Sequence, residues 1–165
     1  MGRTIDAGLD LSAYPLPTSD IAALLVFDHQ GHAMNLLTRL GWETRFAAAE
    51  GRLDFTTGDL ADILAEAVDY FLFADETPLA SPVQAGSAFA KSFASAGPRD
   101  PRGRSLRDLD LQSRLFKYRC SYMIYSPAFD ALPAEARAAF YARLRTRLED
   151  RDTIAILDET KPGWR

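Results

Sequence analysis

Cysteine and histidine are scarce in this chain, which contains one cysteine, Cys120, and two histidines, His29 and His32. A single cysteine forms no internal disulfide, and a structural zinc site needs several cysteine or histidine ligands. The sequence also lacks a CxxCH segment, so it has no attachment site for a c-type haem. In its context, YRCSYMIY, Cys120 is typical of a small buried hydrophobic residue rather than of a reactive thiol.

Long apolar runs and an excess of positive charge are absent as well. No apolar run approaches the roughly 20 residues that span a bilayer, and the start, MGRTIDAGLDLSAY, lacks the basic and then apolar pattern of a signal peptide. The net charge of −4 argues against the basic field of a general nucleic-acid-binding protein. Glycine-rich phosphate loops and a GxSxG nucleophile motif are missing too. The residues therefore do not decide whether the chain is an enzyme.

What the sequence does contain is an apolar pattern of helical period over most of its length. Its 165 residues, 47% of them apolar and 25% charged, suit one domain with a sizeable core. Apolar spacing, capping residues and prolines predict helices over 21–49, 60–73, 81–95, 105–115, 114–132, 133–151 and 153–159. A strand over CSYMIYS is the alternative for 120–126. We therefore predict an all-α fold, a single compact bundle-like domain of about five to seven helices over 19–165, after an irregular segment at 1–18.

Both histidines lie in the first predicted helix, within VFDHQGHAMNLLTRLGWETRF. At about 100° per residue, six polar side chains share an arc of about 120°: Asp28, His29, His32, Asn35, Arg39 and Glu43. The rest of the circumference is mainly apolar and includes Leu24, Phe27 and Met34, which predicts a mostly buried helix with one polar ribbon. Two interpretations of this ribbon stay open. It faces water, as its oppositely charged i,i+4 pairs suggest, or it faces an inward polar site.

The inward interpretation makes the histidines metal or haem ligands. Asp28, His29 and His32 have the i,i+3 and i,i+4 spacings that let side chains meet on one metal ion, and imidazole with carboxylate suits Fe, Mn or Zn. The second helix carries an acidic stripe, which is otherwise a solvated face: Asp59, Asp62, Glu66 and Asp69. We name His29, His32, Asp28 and Glu66 as candidate metal ligands, with a transition metal or an axially ligated haem as the candidate cofactor. The absence of an ExxH pair argues against a diiron centre.

An arginine loop, GPRDPRGRSLRD, covers 97–108. It carries four arginines: Arg99, Arg102, Arg104 and Arg107. Guanidinium groups bind carboxylates with paired hydrogen bonds, so the arginines form internal ion pairs that pin the loop, or they contact an acidic partner or a neighbouring domain. Three tyrosines at helical spacing follow at 118, 122 and 125, a pattern found at core edges first and at protein interfaces second. The four arginines and Tyr122 are the candidate partner-binding residues.

Four segments carry a resemblance to known proteins: DHQGHAMNLLTR, DYFLFADETPL, the stretch over 103–144 that begins GRSLRDLDLQSRLFKYRC, and ILDETKP. They resemble the C-terminal region of certain uncharacterised bacterial exported proteins, some of which carry c-type haem motifs elsewhere in their chains. The resemblance implies a bacterial protein in an exported, periplasmic setting and a link to redox proteins, and it assigns no catalytic residue. This chain departs from the pattern in having no CxxCH and no leader pattern.

Two functions of different kinds follow from these features. The first is a non-catalytic binding or accessory domain of an exported, redox-associated protein. It docks to a protein partner or to the rest of a longer chain through the arginine loop and Tyr122. The second is a metal- or haem-binding helical domain that uses His29 and His32 with a carboxylate and has redox activity. Neither function involves nucleic acid or a membrane span.

Overall fold

The longest helix follows directly from the first apolar repeat of the sequence. In the computed structural model, which describes residues 20–85 and 87–164, α1 spans Ile21–Ala49. Its N-cap is Asp20, whose carboxylate accepts a hydrogen bond from Ala23 N at 3.2 Å and satisfies one amide of the first turn. The helix ends just before Gly51, where a φ of +67° suits glycine and turns the chain out of the helix.

Five further α-helices follow α1 in the described part of the chain. They are α2 (Gly58–Phe71), α3 (Ser87–Ser95), α4 (Pro127–Asp130), α5 (Ala134–Arg147) and α6 (Arg151–Thr160), with a 3₁₀ turn at Tyr122–Tyr125 before α4. No strand occurs among these described residues, where Leu109 and Phe116 form only an isolated antiparallel bridge. The fold is therefore all-α and bundle-like, as the apolar period predicts. The irregular segment predicted over 1–18 lies outside the described residues.

The core forms where α2 packs against both α1 and α5. Phe71 at the end of α2 is fully buried, and its ring lies 5.1 Å from that of Phe140 on α5 in an edge-on arrangement. Phe140 in turn lies 5.0 Å from Phe129 on α4. Burying one such side chain contributes about 2 kcal/mol of transfer free energy, and edge-on ring pairs add to it. These contacts fix α2 against α5 and α4, and α2 also packs against α1, where the candidate site lies.

The segment between α3 and the 3₁₀ turn is irregular, so the helix predicted over 105–115 is wrong. Of the helix predicted over 114–132, only the short α4 at Pro127–Asp130 forms as an α-helix, and it begins at its proline. Asp110 explains part of the difference, because its carboxylate accepts hydrogen bonds from the backbone of Ser113 and Arg114 and so forms a turn that competes with a helix. Leu111 adopts a φ of +59°, in the left-handed region that helices exclude. The strand alternative over 120–126 is wrong as well, since 122–125 form the 3₁₀ turn.

One side of α1 is apolar and yet exposed, contrary to the prediction that the apolar circumference is buried. Six side chains form this surface, which we call the α1 apolar face: Ile21, Leu24, Phe27, Met34, Trp42 and Phe46. The neighbouring helices cover only the opposite side of α1, which carries Val26, Leu37 and Leu40. None of the helices in the described part is both long and apolar enough to cross a membrane.

Candidate functional site

A pocket of about 430 Å³ opens between α1, α2 and the segment that follows α2. This volume lies within the range of small-molecule sites, and part of the wall is aromatic, from Tyr70, Phe73 and Phe116. All four candidate metal ligands line the pocket, three from α1 and one from α2: Asp28, His29, His32 and Glu66. The structure thus brings three residues that helical spacing placed on one side of α1 together with one from the acidic stripe of α2.

His29 is a buried hydrogen-bonding centre, only 6% exposed. Its Nε2 lies 2.7 Å from Ser121 Oγ, and its Nδ1 lies 3.1 Å from the Tyr70 hydroxyl. The Tyr70 hydroxyl is also 3.3 Å from the His29 carbonyl oxygen. One tautomer satisfies all three residues: Nδ1–H donates to Tyr70, Tyr70 donates to the carbonyl, and Ser121 donates to Nε2. Both ring nitrogens are therefore engaged within the chain, and the interpretation that the whole ribbon faces water does not hold for His29.

Four aromatic rings pack around the His29 imidazole. The ring centroids lie 5.1 Å away for Tyr70 and Phe116, 5.3 Å for Phe73 and 5.9 Å for Tyr122. Burial disfavours the charged imidazolium and His32 adds repulsion, so the pKa of His29 falls from 6.5 to about 4 although Asp28 opposes the shift. The ring is therefore neutral near pH 7, which is the form that can accept the Ser121 hydrogen bond.

Tyr70 connects the buried histidine to the exposed one. Its ring stacks on His29 with an interplanar angle of 15°, and the ring of His32 lies 4.4 Å from it. Burial, with a contribution from the charge of Asp28, raises the pKa of Tyr70 to about 12. The hydroxyl therefore stays protonated and keeps its role as a hydrogen-bond donor. His32 itself is exposed and faces the pocket from the solvent side.

The contacts of these residues conflict with the predicted metal site. Both nitrogens of His29 are hydrogen-bonded, and Glu66 pairs with Arg39 at 3.0 Å. Over 20–85 and 87–164, no group of three or more His, Cys, Asp and Glu side chains is placed to hold one metal ion. A metal bound through His29 would first have to displace Ser121 or Tyr70. Metal or haem ligation by the four candidate residues therefore stays a prediction.

The pocket is acidic, because five carboxylates line it and only three of them are paired. The three ion pairs are Glu66–Arg39 at 3.0 Å, Asp69–Arg147 at 2.7 Å and Glu76–Arg114 at 2.5 Å. The other two carboxylates, Asp28 and Asp75, are exposed and form no ion pair within the described part of the chain. A cation that enters the pocket therefore meets two carboxylates that have no other partner there.

The arginine loop is closed by Asp100, whose side chain is nearly inaccessible to solvent. Its carboxylate accepts hydrogen bonds from the backbone amides of Arg102 and Arg104 and pairs with the Arg104 guanidinium at 2.7 Å. Arg104 reaches onward to Asp152 on α6 at 2.5 Å. Both partners of Arg104 belong to the chain itself, which is what internal ion pairing predicts.

The other candidate partner-binding residues also make contacts within the chain, except for Arg102, whose side chain is exposed. Arg99 pairs with Asp108 at 3.0 Å. The guanidinium of Arg107 lies 4.2 Å above the Phe93 ring and 4.6 Å above the Tyr122 ring. Tyr122 is 4% exposed, so it belongs to the core. Partner binding by the four arginines and Tyr122 stays a prediction.

Charge reversal distinguishes a structural role of the loop from a binding role. We expect Arg104→Glu to lower the melting temperature clearly, because it sets a new carboxylate against Asp100 and breaks the pair with Asp152. Arg102→Glu is expected to melt close to the wild type, since that side chain is exposed and forms no ion pair in the described residues. Thermal unfolding followed by circular dichroism compares the two variants. Equal losses in both would contradict the assignment of Arg104 as the structural arginine.

The sequence alone does not identify Tyr70, Ser121 or Asp75 as site residues. A signal for Tyr70 exists, because it follows Glu66 by four residues and therefore shares its helix face. Ser121 has no such signal, since 92 residues separate it from His29. Asp75 lies in a segment, ADETP, that predicts only the end of a helix.

Comparison with known proteins finds no match: no family model, no curated protein and no solved structure shows significant similarity to this chain. The resemblance to exported bacterial proteins that four sequence segments carry therefore stays a prediction.

Proposed function

We propose that the chain is a non-catalytic helical binding domain, and that it binds a cationic group on an apolar stem in the pocket between α1 and α2. One observation carries this proposal: the aromatic wall of the pocket lies beside two unpaired carboxylates, Asp28 and Asp75. The rings offer an apolar surface and attract cations through their negative faces. The carboxylates attract the same charge and repel anions, so the pocket selects by charge sign as well as by shape.

Two residues with catalytic chemistry, His29 and Cys120, support a non-catalytic role. The His29 imidazole is neutral and has both nitrogens hydrogen-bonded, so it has no free nitrogen for a substrate. Cys120 is fully buried, and burial raises the pKa of its thiol to about 12. Thiolate nucleophiles need a lowered pKa and access to solvent, and Cys120 has neither. Neither residue therefore offers a reactive group to a ligand in the pocket.

Two kinds of ligand have a cationic group on an apolar stem: the side chain of lysine or arginine, and a small organic amine. As a binding or accessory domain, the chain takes this group from a protein partner or from a neighbouring domain of a longer chain. The pocket, rather than the arginine loop, is the proposed contact element, because Arg99, Arg104 and Arg107 are engaged internally. An exported, redox-associated setting rests on the sequence resemblance alone.

Three probes of similar size and different charge test the proposal: benzylammonium, benzyl alcohol and benzoate. In a ¹H–¹⁵N NMR titration, we expect benzylammonium to shift amide signals of pocket residues, benzyl alcohol to shift them more weakly, and benzoate to leave them unchanged. The double variant Asp28→Asn with Asp75→Asn is expected to weaken benzylammonium binding about thirtyfold, since each of the two water-exposed carboxylates contributes about 1 kcal/mol of attraction.

Asp62→Asn is the matched control, because Asp62 is an exposed carboxylate on α2 that does not line the pocket. It is expected to bind benzylammonium as the wild type does. A lysine-containing peptide and free lysine, titrated in parallel, distinguish a protein partner from a small amine. Pocket signals that respond equally to benzoate, or to none of the probes, would contradict the proposal.

Metal or haem binding through His29 and His32 is the second candidate. It is favoured because all four predicted ligands line one pocket: His29, His32, Asp28 and Glu66. It requires that His29 exchange a hydrogen bond for a metal bond, which the neutral imidazole allows chemically. Elemental analysis and a visible absorption spectrum of the purified wild type, repeated on a variant lacking both histidines, are the measurements that decide it.

A further inference from the structure

We propose that the α1 apolar face is a self-association surface, on which a second copy of this chain packs its own α1 in the antiparallel direction. The face consists of six exposed apolar side chains: Ile21, Leu24, Phe27, Met34, Trp42 and Phe46. It lies on the side of α1 that the other helices leave uncovered, and it is separate from the pocket in which we propose cation binding.

The exposure of this face is too large for scattered surface residues. Phe27 is 74% exposed, Trp42 59% and Leu24 56%, and the ring of Phe46 lies 5.3 Å from that of Trp42. Aromatic side chains present roughly 150–250 Å² each when free, so the face offers about 600 Å² per copy. A standard protein interface buries about 800 Å² on each partner. With the side chains at its border, the face therefore approaches the area that a stable dimer needs.

The arrangement of residues along α1 suits a second copy of the same helix. Three apolar side chains, Ile21, Leu24 and Phe27, lie near its start, and Trp42 and Phe46 lie near its end. Between them the face carries Met34 and the uncharged residues Gly31, Asn35 and Thr38, and the charged Asp28 and Arg39 lie at its edge. Apart from its two neighbours and the backbone of α1 itself, no atom lies within 4 Å of a Cβ built on Gly31, so a second helix can approach closely at this point.

An antiparallel arrangement fits better than a parallel one. A two-fold axis near Met34 lays the apolar start of one α1 against the aromatic end of the other, so every large side chain gains an apolar partner. It also keeps Arg45 away from its own copy and opposes the two helix dipoles. A parallel pair would place Arg45 beside Arg45 and align the dipoles. The surface is thus self-complementary in one orientation.

Sedimentation velocity of the full chain, from micromolar to near-millimolar concentration, tests the proposal. We expect the average mass to rise from 18.3 kDa towards that of two chains. Phe27→Glu and Trp42→Glu are each expected to remain monomeric, and both side chains are exposed enough that the fold tolerates the change. Leu53→Glu is the matched control, since Leu53 is an exposed leucine outside α1 and its variant should associate like the wild type.

Fluorescence supplies a second readout, because the chain has two tryptophans and only Trp42 is exposed, whereas Trp164 is 3% exposed. Emission of the wild type is expected to shift to shorter wavelength as the protein is concentrated. A full chain that stays monomeric throughout overturns the proposal and assigns the face to residues 1–19 or to another protein. A dimer that persists in both glutamate variants also overturns it.

Cross-linking tests the direction of the helices. Cys120 is fully buried, so an engineered cysteine is the reactive thiol. On oxidation, a mixture of Leu24→Cys chains with Trp42→Cys chains is expected to yield mainly the mixed disulfide dimer. Preferential linkage of each variant to its own kind would overturn the antiparallel arrangement.

Discussion

Replacing His29 with alanine is expected to lower the free energy of unfolding by about 3 kcal/mol. The substitution removes a ring that packs against four aromatic side chains, and it leaves a cavity among them. It also leaves the hydroxyls of Ser121 and Tyr70 without their imidazole partner in a buried setting. Urea denaturation followed by circular dichroism measures the loss.

His32→Ala is the control for this experiment, because it removes the same side chain from the same helix at an exposed position. Its cost is expected to stay below about 0.5 kcal/mol, as for most surface substitutions. His29→Gln is expected to fall between the two, since the amide can replace one hydrogen bond but not the ring. If His29→Ala and His32→Ala were equally stable, the buried hydrogen-bonding role of His29 would be wrong.

The second large effect is a loss of stability in mild acid. Burial lowers the pKa of His29 from 6.5 to about 4, so between these values the unfolded chain binds a proton that the folded chain does not. The stabilisation is therefore complete above about pH 6.5 and is lost as the pH falls towards 4. A shift of this size corresponds to about 3 kcal/mol, at 1.36 kcal/mol per pKa unit. Urea denaturation of the wild type across this pH range measures it.

A variant without a titrating group at position 29 isolates this contribution. Carboxylates also titrate in acid, but they do so in the wild type and in His29→Gln alike, and their effect cancels in the difference between the two curves. We expect the difference to narrow as the pH falls from 6.5 to 4, because the wild type loses stability that the variant never had. His32→Gln should keep most of the wild-type slope, because burial, the main cause of the lowered His29 pKa, is unchanged. A constant difference across the range would show that His29 titrates alike in the folded and unfolded states.

Local signals in the sequence predict the regular helices well. Asp20 and Gly51 bracket α1, and the observed span, Ile21–Ala49, matches the predicted 21–49. Capping residues and glycines act within one turn of the helix end, so their effect can be predicted without the rest of the chain. The same approach fails over 105–121, because Asp110 forms a local turn and the backbone of Ser121 bonds to Phe71 of α2 at 2.8 Å. Apolar spacing contains no information on these contacts.

The candidate site was predictable in some of its residues but not in its chemistry. Helical period placed Asp28, His29 and His32 on one side of α1 and Glu66 on α2, and the structure finds all four on one pocket. The period does not distinguish His29, which is 6% exposed, from His32, which is exposed, although only three residues separate them. The difference comes from Tyr70, Phe116 and Ser121, whose positions relative to α1 depend on long-range packing.

The sequence by itself determines the helical class, the ends of α1 and the acidic, histidine-bearing surface along α1 and α2, because these depend on neighbouring residues within a few turns. Only the tertiary structure decides that His29 is a neutral, buried hydrogen-bonding residue and that Leu24, Phe27 and Trp42 are exposed. Burial depends on which distant segments pack against each face of a helix. Packing of α2 and the segment around Ser121 onto one side of α1 buries a histidine there and leaves an apolar face on the other side in contact with solvent.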